Sequence, residues 1–153
     1  MAKTRVYLDN CAFNRPFDDK EQLSIRMEAE AKLKIQSDIR SGAYELAWSY
    51  MNEYENDENP YDDKREAIGI WERIAVHKCS PNEKILERGK QIRQIGLKPK
   101  DALNLACAIE SGCGYFITTD KFLLKKAEAI SGLVVINPID FIRMEEESGG
   151  TDN

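Results

Sequence analysis

The sequence predicts an α/β protein, a three-layer α/β/α sandwich built on a mostly parallel sheet. Short runs of β-branched and aromatic residues, typical of buried strands, alternate along the chain with longer stretches whose apolar residues recur at helical spacing. No internal repeat and no Gly-, Ser- or Pro-rich linker divides the 153 residues. One domain is therefore predicted over residues 1–144, followed by a flexible acidic tail over residues 145–153.

Five short runs have the composition of strands. They are Arg5–Leu8, Tyr44–Ser49, Ala75–Cys79, Tyr115–Thr119 and Leu133–Ile136. Apolar residues at helical spacing predict helices between these runs. The predicted helices cover residues 21–40, 64–74, 80–95 and 122–129, with others starting at Met51, Pro99 and Asn137.

The ends of these helices are predicted from capping chemistry. Gly42 and Gly96 stop the helices before them, because glycine readily adopts the left-handed conformation that ends a helix. Ser80-Pro81-Asn82-Glu83 has the capping-box form, with Ser80 as the cap and proline at the first helical position. Pro99 opens a helix that is apolar over most of its surface, so this helix is predicted to be buried.

Two connections are predicted to be loops. Residues 11–19 follow the first strand, and they end in two candidate helix caps, Asp18 and Asp19. Residues 56–63 are polar and acidic and contain Pro60, which makes them the best candidate for a mobile surface segment.

Composition sets broad bounds on function. The chain carries 22 Lys and Arg against 27 Asp and Glu, and this net charge of −5 argues against a general nucleic-acid coat protein. The four cysteines show no C-x-x-C pair and no zinc-ligand spacing, so we expect them to be reduced and partly buried. No apolar run approaches the roughly 18 residues of a membrane span, and the N-terminus lacks a signal-peptide pattern. We therefore expect a cytoplasmic protein.

Four acidic residues lie where this fold can bring them together. Asp9 and Asp120 each end a predicted strand. Asp101 lies in the first turn of the helix that Pro99 opens, and Glu53 lies in the first turn after the second strand. Elements that leave the same edge of a parallel sheet begin close to one another, and open α/β sheets bind ligands at that edge.

Carboxylates crowded into one pocket raise each other's pKa unless a cation is present. Oxygen-only ligation favours Mg²⁺ or Mn²⁺ over zinc, which would call for His or Cys. Such ions can activate water and hold a phosphodiester for in-line attack. A nuclease built on two histidines is excluded, because His77 is the only histidine; it lies far from the acids and is predicted to be structural.

Four motifs resemble, in order and spacing, the acidic motifs of the PIN-domain family. They are Tyr7-Leu8-Asp9-Asn10, Ser49-Tyr50-Met51-Asn52-Glu53, Asp101-Ala102-Leu103-Asn104-Leu105-Ala106 and Thr118-Thr119-Asp120-Lys121. The resemblance extends from residue 5 to residue 142, which is nearly the whole chain. The C-terminal half is the more specific part, with an Asp-Ala-Leu helix start, then glycine, then an apolar strand that ends in Thr-Thr-Asp.

The resemblance implies a five-stranded parallel sheet and a metal-dependent endoribonuclease, often the VapC-type toxin of a toxin–antitoxin pair. The metal-binding acids that it implies are Asp9, Glu53, Asp101 and Asp120, with Mg²⁺ or Mn²⁺ as the cofactor. Asn10 and Thr119 would be supporting polar residues that orient an acid or a water. The partners implied are an RNA substrate, an antitoxin protein and a second copy of the chain as a homodimer.

Several alternatives stay open at this point. Glu45, Glu55 and Glu58 are near Glu53, so the fourth acid depends on the helix register. A catalytically inactive PIN-fold interaction module is one alternative function. An aspartate-dependent phosphatase also places an acid after the first strand, but it usually carries a second Asp two residues on, where this chain has Cys11. The basic residues that flank the acids and could line an RNA-binding rim are Arg15, Lys98, Lys100, Lys121, Lys125 and Lys126.

Overall fold

The computed structural model of this chain describes residues 3–13 and 23–151, with side chains as far as residue 148. Its sheet has five parallel strands in the order β3-β2-β1-β4-β5. These strands are β1 (Arg5–Leu8), β2 (Glu45–Ser49), β3 (His77–Cys79), β4 (Tyr115–Ile117) and β5 (Val134–Ile136). The predicted α/β sandwich on a five-stranded parallel sheet is therefore confirmed.

Eight helices accompany the sheet in the described part of the chain. They are α1 (Asn10–Phe13), α2 (Leu23–Arg40), α3 (Tyr50–Asp57), α4 (Asp62–Ile74), α5 (Glu83–Arg93), α6 (Pro99–Glu110), α7 (Lys121–Lys126) and α8 (Pro138–Thr151). A single 3₁₀ turn, Ala127–Ala129, continues α7. None of the helices in the described residues is both long enough and apolar enough to cross a membrane.

The sheet has a hydrophobic core on each face, because successive side chains of a strand point to opposite sides. On β1, Tyr7 packs with Phe116 and with apolar residues of α5 and α6. Val6 and Leu8 pack on the other face with Trp48 and with apolar residues of α2, α4 and α8. All three β1 side chains are at most 1% exposed. The central strand is thus fixed from both sides, and its carboxyl end is held at a defined position.

The chain after β1 is helical where a loop was predicted. Residues 10–13 form α1, whose Ala12 and Phe13 are buried. The Phe13 ring lies against Trp48, and the Ala12 amide donates to the carbonyl of Asp9 at 2.8 Å. Burial of these two apolar side chains favours the helical turn over an open loop. The remainder of the predicted loop, with Arg15, Asp18 and Asp19, lies outside the described residues.

The cap of α5 is not the predicted one. Asn82 is the cap, since its side chain accepts a hydrogen bond from the Ile85 amide at 3.0 Å, and the helix starts at Glu83. Ser80 and Pro81 therefore precede the helix. Asn and Ser are comparable caps, so the choice between them is made by the position of the helix on the sheet and not by the local motif.

The predicted stops of α2 and α5 are confirmed at Gly42 and Gly96, which have φ values of +87° and +99°. The predicted mobile connection over residues 56–63 is shorter in the structure. Helix α3 continues to Asp57 and α4 begins at Asp62. A hydrogen bond of 2.9 Å from Asn56 Nδ2 to the Arg65 carbonyl joins the two helices. Mobility of the remaining four residues stays a prediction.

The C-terminal segment is also more regular than expected. Helix α8 continues to Thr151, so most of the predicted acidic tail over residues 145–153 is helical. Its flexibility, and the division of the chain at residue 144, stay predictions.

Candidate active site

Three of the four predicted acids converge at the carboxyl edge of the sheet. Asp9 follows β1, Asp120 caps α7 after β4, and Asp101 lies in the first turn of α6. Burial and the negative charge of Asp120 raise the pKa of Asp9. Burial, Asp9 and Asp120 together raise the pKa of Asp101. The charges of these carboxylates therefore act on one another, which places the three acids near each other at this edge of the sheet.

Thr118 holds two of these acids in position. Its side chain is fully buried, and Oγ1 donates to Asp9 Oδ2 at 2.7 Å. The same oxygen accepts from the Asp120 backbone amide at 3.1 Å. The Asp120 carboxylate in turn accepts from the Leu123 amide at the start of α7. The hydrogen bond that Thr118 donates to Asp9 lowers the pKa of Asp9, and so it opposes part of the increase that burial causes.

The residue predicted for this supporting role was Thr119, one position further on. Thr119 instead hydrogen-bonds the Cys11 side chain. Both threonines follow the end of β4 at Ile117, and Thr118 Oγ1 also lies 3.7 Å from Cys11 Sγ. The hydrogen bond to the Asp9 carboxylate comes from Thr118. A functional role of Thr119 stays a prediction.

Glu55, and not Glu53, lies with the three aspartates. Burial raises the pKa of Glu55, and the charges of Asp9 and Asp101 raise it further. Glu53 is exposed, and its carboxylate accepts a hydrogen bond from the Trp48 indole at 3.2 Å. Two residues along a helix correspond to a rotation of about 200°, so Glu53 and Glu55 face nearly opposite directions. The geometry therefore places Glu55, and not the predicted Glu53, beside the aspartates, while a metal-binding role for any of these acids stays a prediction.

A chain of buried polar side chains leads from Glu55 back to Asn10, which lies beside Asp9. Asn104 Nδ2 donates to Glu55 Oε1 at 2.9 Å, and its Oδ1 accepts from the Tyr7 hydroxyl. Tyr7 also hydrogen-bonds Ser49 Oγ at 2.6 Å. Tyr7 is completely buried, which raises the pKa of its hydroxyl well above the ordinary value. It therefore stays protonated and remains a hydrogen-bond donor.

Asn52 completes this chain. Its Nδ2 donates to Asn10 Oδ1 at 2.8 Å and to the Leu8 carbonyl at 3.1 Å. Asn10 Nδ2 returns a hydrogen bond to the Asn52 carbonyl at 3.1 Å, and the Asn10 amide donates to Asp9 Oδ1 at 2.9 Å. The end of β1 is thus tied to the start of α3. The predicted supporting position of Asn10 is consistent with these contacts, whereas its catalytic role is untested.

Sequence reasoning missed Asn52, Asn104, Tyr7 and Thr118 as parts of this site. A signal was available for Asn52, because Ser49 and Asn52 have capping-box spacing and the structure shows the reciprocal hydrogen bonds of that motif. Asn104 was visible as an amide in an otherwise apolar helix. No comparable signal identifies Tyr7 or Thr118, since both types of residue are common in strands.

Lysines flank the acids. The charge of Lys98 lowers the pKa of Asp101, which places Lys98 within electrostatic reach of the pocket. Lys100 pairs with Glu58 at 3.3 Å and lies over the Tyr54 ring, 5.2 Å from its centroid. Lys126 lies over the Phe122 ring, 5.8 Å from its centroid. Arg15, the remaining predicted cation on the N-terminal side, lies outside the described residues.

A divalent cation requires several oxygen ligands within bonding distance of one point. As the side chains stand, no group of three or more His, Cys, Asp or Glu residues in the described ranges is close enough to hold a metal ion. The donors are nevertheless all carboxylate oxygens, and neighbouring carboxylates raise the pKa of Asp9, Glu55 and Asp101. This chemistry suits Mg²⁺ or Mn²⁺, and ligation would require side chains of the pocket to turn towards one another.

Comparison with known proteins bears on the fold. No protein-family model matches the sequence, and no curated protein matches it. Among solved structures, the chain is similar to VapBC2 from Rickettsia felis bound to a DNA fragment from the promoter, with a TM-score of 0.55 and 14% identity over 88% of this chain and 98% of that chain. It is also similar to DNA-bound VapBC from Salmonella typhimurium, with a TM-score of 0.52 and 14% identity over the same shares of the two chains. At this level of identity the likeness concerns architecture, so the chain is an α/β protein with a PIN-like fold.

Proposed function

We propose that this protein is a metal-dependent endoribonuclease that hydrolyses RNA phosphodiester bonds. The single observation that carries the proposal is the convergence of Asp9, Asp101 and Asp120 with Glu55 at one edge of the sheet, where neighbouring negative charges raise the pKa of Asp9, Glu55 and Asp101. Likeness of the fold to the solved VapBC structures adds support. An acidic pocket of this kind is poorly suited to bind a phosphodiester by itself, because like charges repel. A divalent cation removes that obstacle.

When bound, Mg²⁺ or Mn²⁺ would neutralise phosphate charge and lower the pKa of a water at the scissile bond. In this proposal Asp9, Asp101 and Asp120 hold the cation, and Glu55 is the fourth acid. Thr118 keeps the Asp9 carboxylate in one orientation through its 2.7 Å hydrogen bond. Asn104 orients the Glu55 carboxylate in the same way, through a hydrogen bond of 2.9 Å from its Nδ2.

Other residues of this chain would bind the RNA backbone. Lys98 and Lys100 lie at the start of α6 beside Asp101, where they can contact phosphates on either side of the cleaved bond. Their contribution is electrostatic and independent of base sequence, so it positions the strand without selecting a site.

The proposal is tested by substituting two of the acids. Asp9→Asn and Asp101→Asn are each expected to reduce the rate of Mg²⁺- or Mn²⁺-dependent RNA cleavage by about 100-fold or more, because each removes a carboxylate from the proposed ion site. Cleavage of a labelled RNA is followed by gel electrophoresis, and circular dichroism checks that both variants fold.

Asp63→Asn is the matched control, since Asp63 is an exposed residue in the first turn of α4, away from the pocket. Full activity of the Asp9 and Asp101 variants, or unchanged cleavage in EDTA, would contradict the proposal. Turnover of a phosphomonoester with RNA left intact would favour the phosphatase alternative. Absence of both activities in the folded wild type would favour the inactive interaction module.

A second prediction concerns pH and metal removal. The pKa of Asp101 is raised from 3.8 in the folded protein, so the folded chain retains this proton to higher pH than the unfolded chain does. The free energy of unfolding of the wild type should therefore fall relative to that of Asp101→Asn as the pH rises from about 4 to about 7. In EDTA, we expect the variant to gain stability relative to the wild type between about pH 4 and pH 7, so that its melting temperature rises relative to that of the wild type.

Differential scanning fluorimetry across this pH range measures the shift, and adding Mg²⁺ at pH 7 should reverse it by stabilising only the wild type. Asp63→Asn is measured at the same pH values as a matched carboxylate-to-amide substitution outside the proposed ion site. A difference that shrinks as the pH rises would show that the Asp101 carboxylate is not destabilised in the folded protein.

We also propose that the protein pairs with an antitoxin, since the two solved structures described above are VapBC complexes bound to DNA. Co-expression with the product of an adjacent gene should yield a stable complex and suppress RNA cleavage. Failure to find either effect with both neighbouring gene products would argue against a toxin–antitoxin pair. Homodimerisation stays a prediction.

A further inference from the structure

A cavity of about 290 Å³ opens beside the acidic pocket and shares Glu55 with it. Its lining includes Asn10, Glu55, Asn56, Glu58, Asn59 and Ile68. Asn10 and Glu55 belong to both the cavity and the acidic pocket. The Asn10 amide donates to Asp9, and the charges of Asp9 and Asp101 raise the pKa of Glu55. A group bound in the cavity would therefore be a direct neighbour of a phosphodiester bound at the acids.

The carboxamides of the cavity are not equally free to bind a ligand. Both ends of the Asn10 carboxamide are engaged with Asn52. Asn56 donates through Nδ2 to the Arg65 carbonyl at 2.9 Å, which fixes the orientation of its amide. The remaining atom, Asn56 Oδ1, is buried and has no hydrogen-bond partner in the described part of the chain. A buried acceptor without a partner is costly, so it favours a ligand that brings a donor.

Asn59 contributes a hydrogen-bond donor to the cavity. Its Oδ1 accepts from the Tyr61 amide at 3.1 Å, and within residues 3–13 and 23–148 its Nδ2 has no acceptor, which leaves two protons for a ligand. The carboxylates of Glu55 and Glu58 add further acceptors, and Glu58 is paired with Lys100 at 3.3 Å. Ile68 supplies an apolar wall and is 4% exposed. The cavity thus offers an excess of acceptors, one amide donor and an apolar surface.

A nucleobase matches these requirements. It is planar and uncharged, its face packs on apolar side chains, and its edge carries donors and acceptors that carboxamides and carboxylates can bind. We propose that the cavity is a nucleobase subsite that prefers bases with an exocyclic amine, namely adenine, cytosine or guanine, over uracil. The preference follows from the excess of acceptors, because an exocyclic amine donates two protons whereas uracil presents two carbonyls. This inference rests on the proposed function in taking the base to belong to the RNA that is cleaved.

The test uses free nucleosides, so that it needs neither a metal nor cleavage. Adenosine, cytidine, guanosine and uridine are titrated into the ¹⁵N-labelled full-length wild type in EDTA, and the side-chain amide signals of Asn56 and Asn59 are followed by NMR. We expect saturable shifts of both signals with at least one amine-bearing nucleoside and roughly fivefold or more weaker binding of uridine.

Asn59→Asp is the informative variant, because it keeps the acceptor for the Tyr61 amide and replaces only the amide donor. It should weaken binding of the preferred nucleoside by roughly fivefold or more. Asn82→Asp makes the same chemical change at the exposed cap of α5 and should leave binding unchanged. Reading the shifts from Asn56 in both variants separates loss of the donor from loss of the fold.

The outcomes distinguish this inference from the nuclease proposal. RNA cleavage without saturable nucleoside shifts at Asn56 or Asn59 would overturn the subsite and leave the nuclease standing. Equal binding of uridine, or unchanged binding in Asn59→Asp, would overturn the preference for amine-bearing bases. Selective nucleoside binding in a chain that cleaves no RNA would support the subsite and refute the nuclease.

Discussion

Glu55→Gln is expected to reduce metal-dependent RNA cleavage by about 100-fold or more, whereas Glu53→Gln should change it by less than about threefold. The two residues are separated by a single position in α3 but differ in surroundings. The charges of Asp9 and Asp101 raise the pKa of Glu55, and Asn104 donates a hydrogen bond to its carboxylate. Glu53 is exposed, and its carboxylate accepts a hydrogen bond from the Trp48 indole. Neutralising Glu55 therefore changes the charge of the pocket, and neutralising Glu53 does not.

The two glutamine variants serve as each other's control, because the chemical change is identical and both lie in the same helix. Initial cleavage rates at saturating Mg²⁺ and at limiting Mg²⁺ distinguish loss of metal affinity from loss of the chemical step. If Glu53→Gln were the inactive variant and Glu55→Gln the active one, the position of α3 at the pocket would be incorrect and the sequence-based choice of Glu53 would be restored.

Asn52→Leu is expected to cost about 3 kcal/mol of unfolding free energy, the largest stability effect predicted for a single polar residue near this site. Asn52 is 1% exposed, and its side chain bonds the Leu8 carbonyl, Asn10 Oδ1 and the Ser49 amide. Leucine has a similar size but leaves these buried groups without their partner. Urea denaturation measures the loss, and thermal unfolding should show a decrease of roughly 6–12 °C.

The same substitution at Asn137, a partly exposed residue whose Oδ1 accepts from the Asp140 amide, should cost only about 1 kcal/mol. Equal losses at the two positions would mean that the hydrogen bonds of Asn52 add little beyond those of an ordinary helix cap. A stable Asn52→Leu variant that retains full RNA cleavage would also show that the link between β1 and α3 does not position Asp9.

Local pattern was sufficient for the architecture of this chain. The apolar run at Arg5–Leu8 and the run ending at Asp120 both form strands, and both place an acid at the carboxyl edge of the sheet. The reason is that strand period and burial leave little freedom in where such runs lie. Helix starts were less well determined, as the shift of the α5 cap from Ser80 to Asn82 illustrates, because neighbouring residues can cap with similar free energy.

The sequence by itself determined the α/β sandwich, the parallel sheet and the convergence of Asp9, Asp101 and Asp120. Only the tertiary structure decided which glutamate and which threonine join them. Glu53 and Glu55 are equivalent by type and nearly so by position, as are Thr118 and Thr119. Glu53 and Glu55 are separated by direction, since a helix turns by about 100° per residue. Thr118 and Thr119 follow β4, and the path of the chain there brings the Thr118 hydroxyl to Asp9. These directions are fixed by packing between distant elements, which no short stretch of sequence contains.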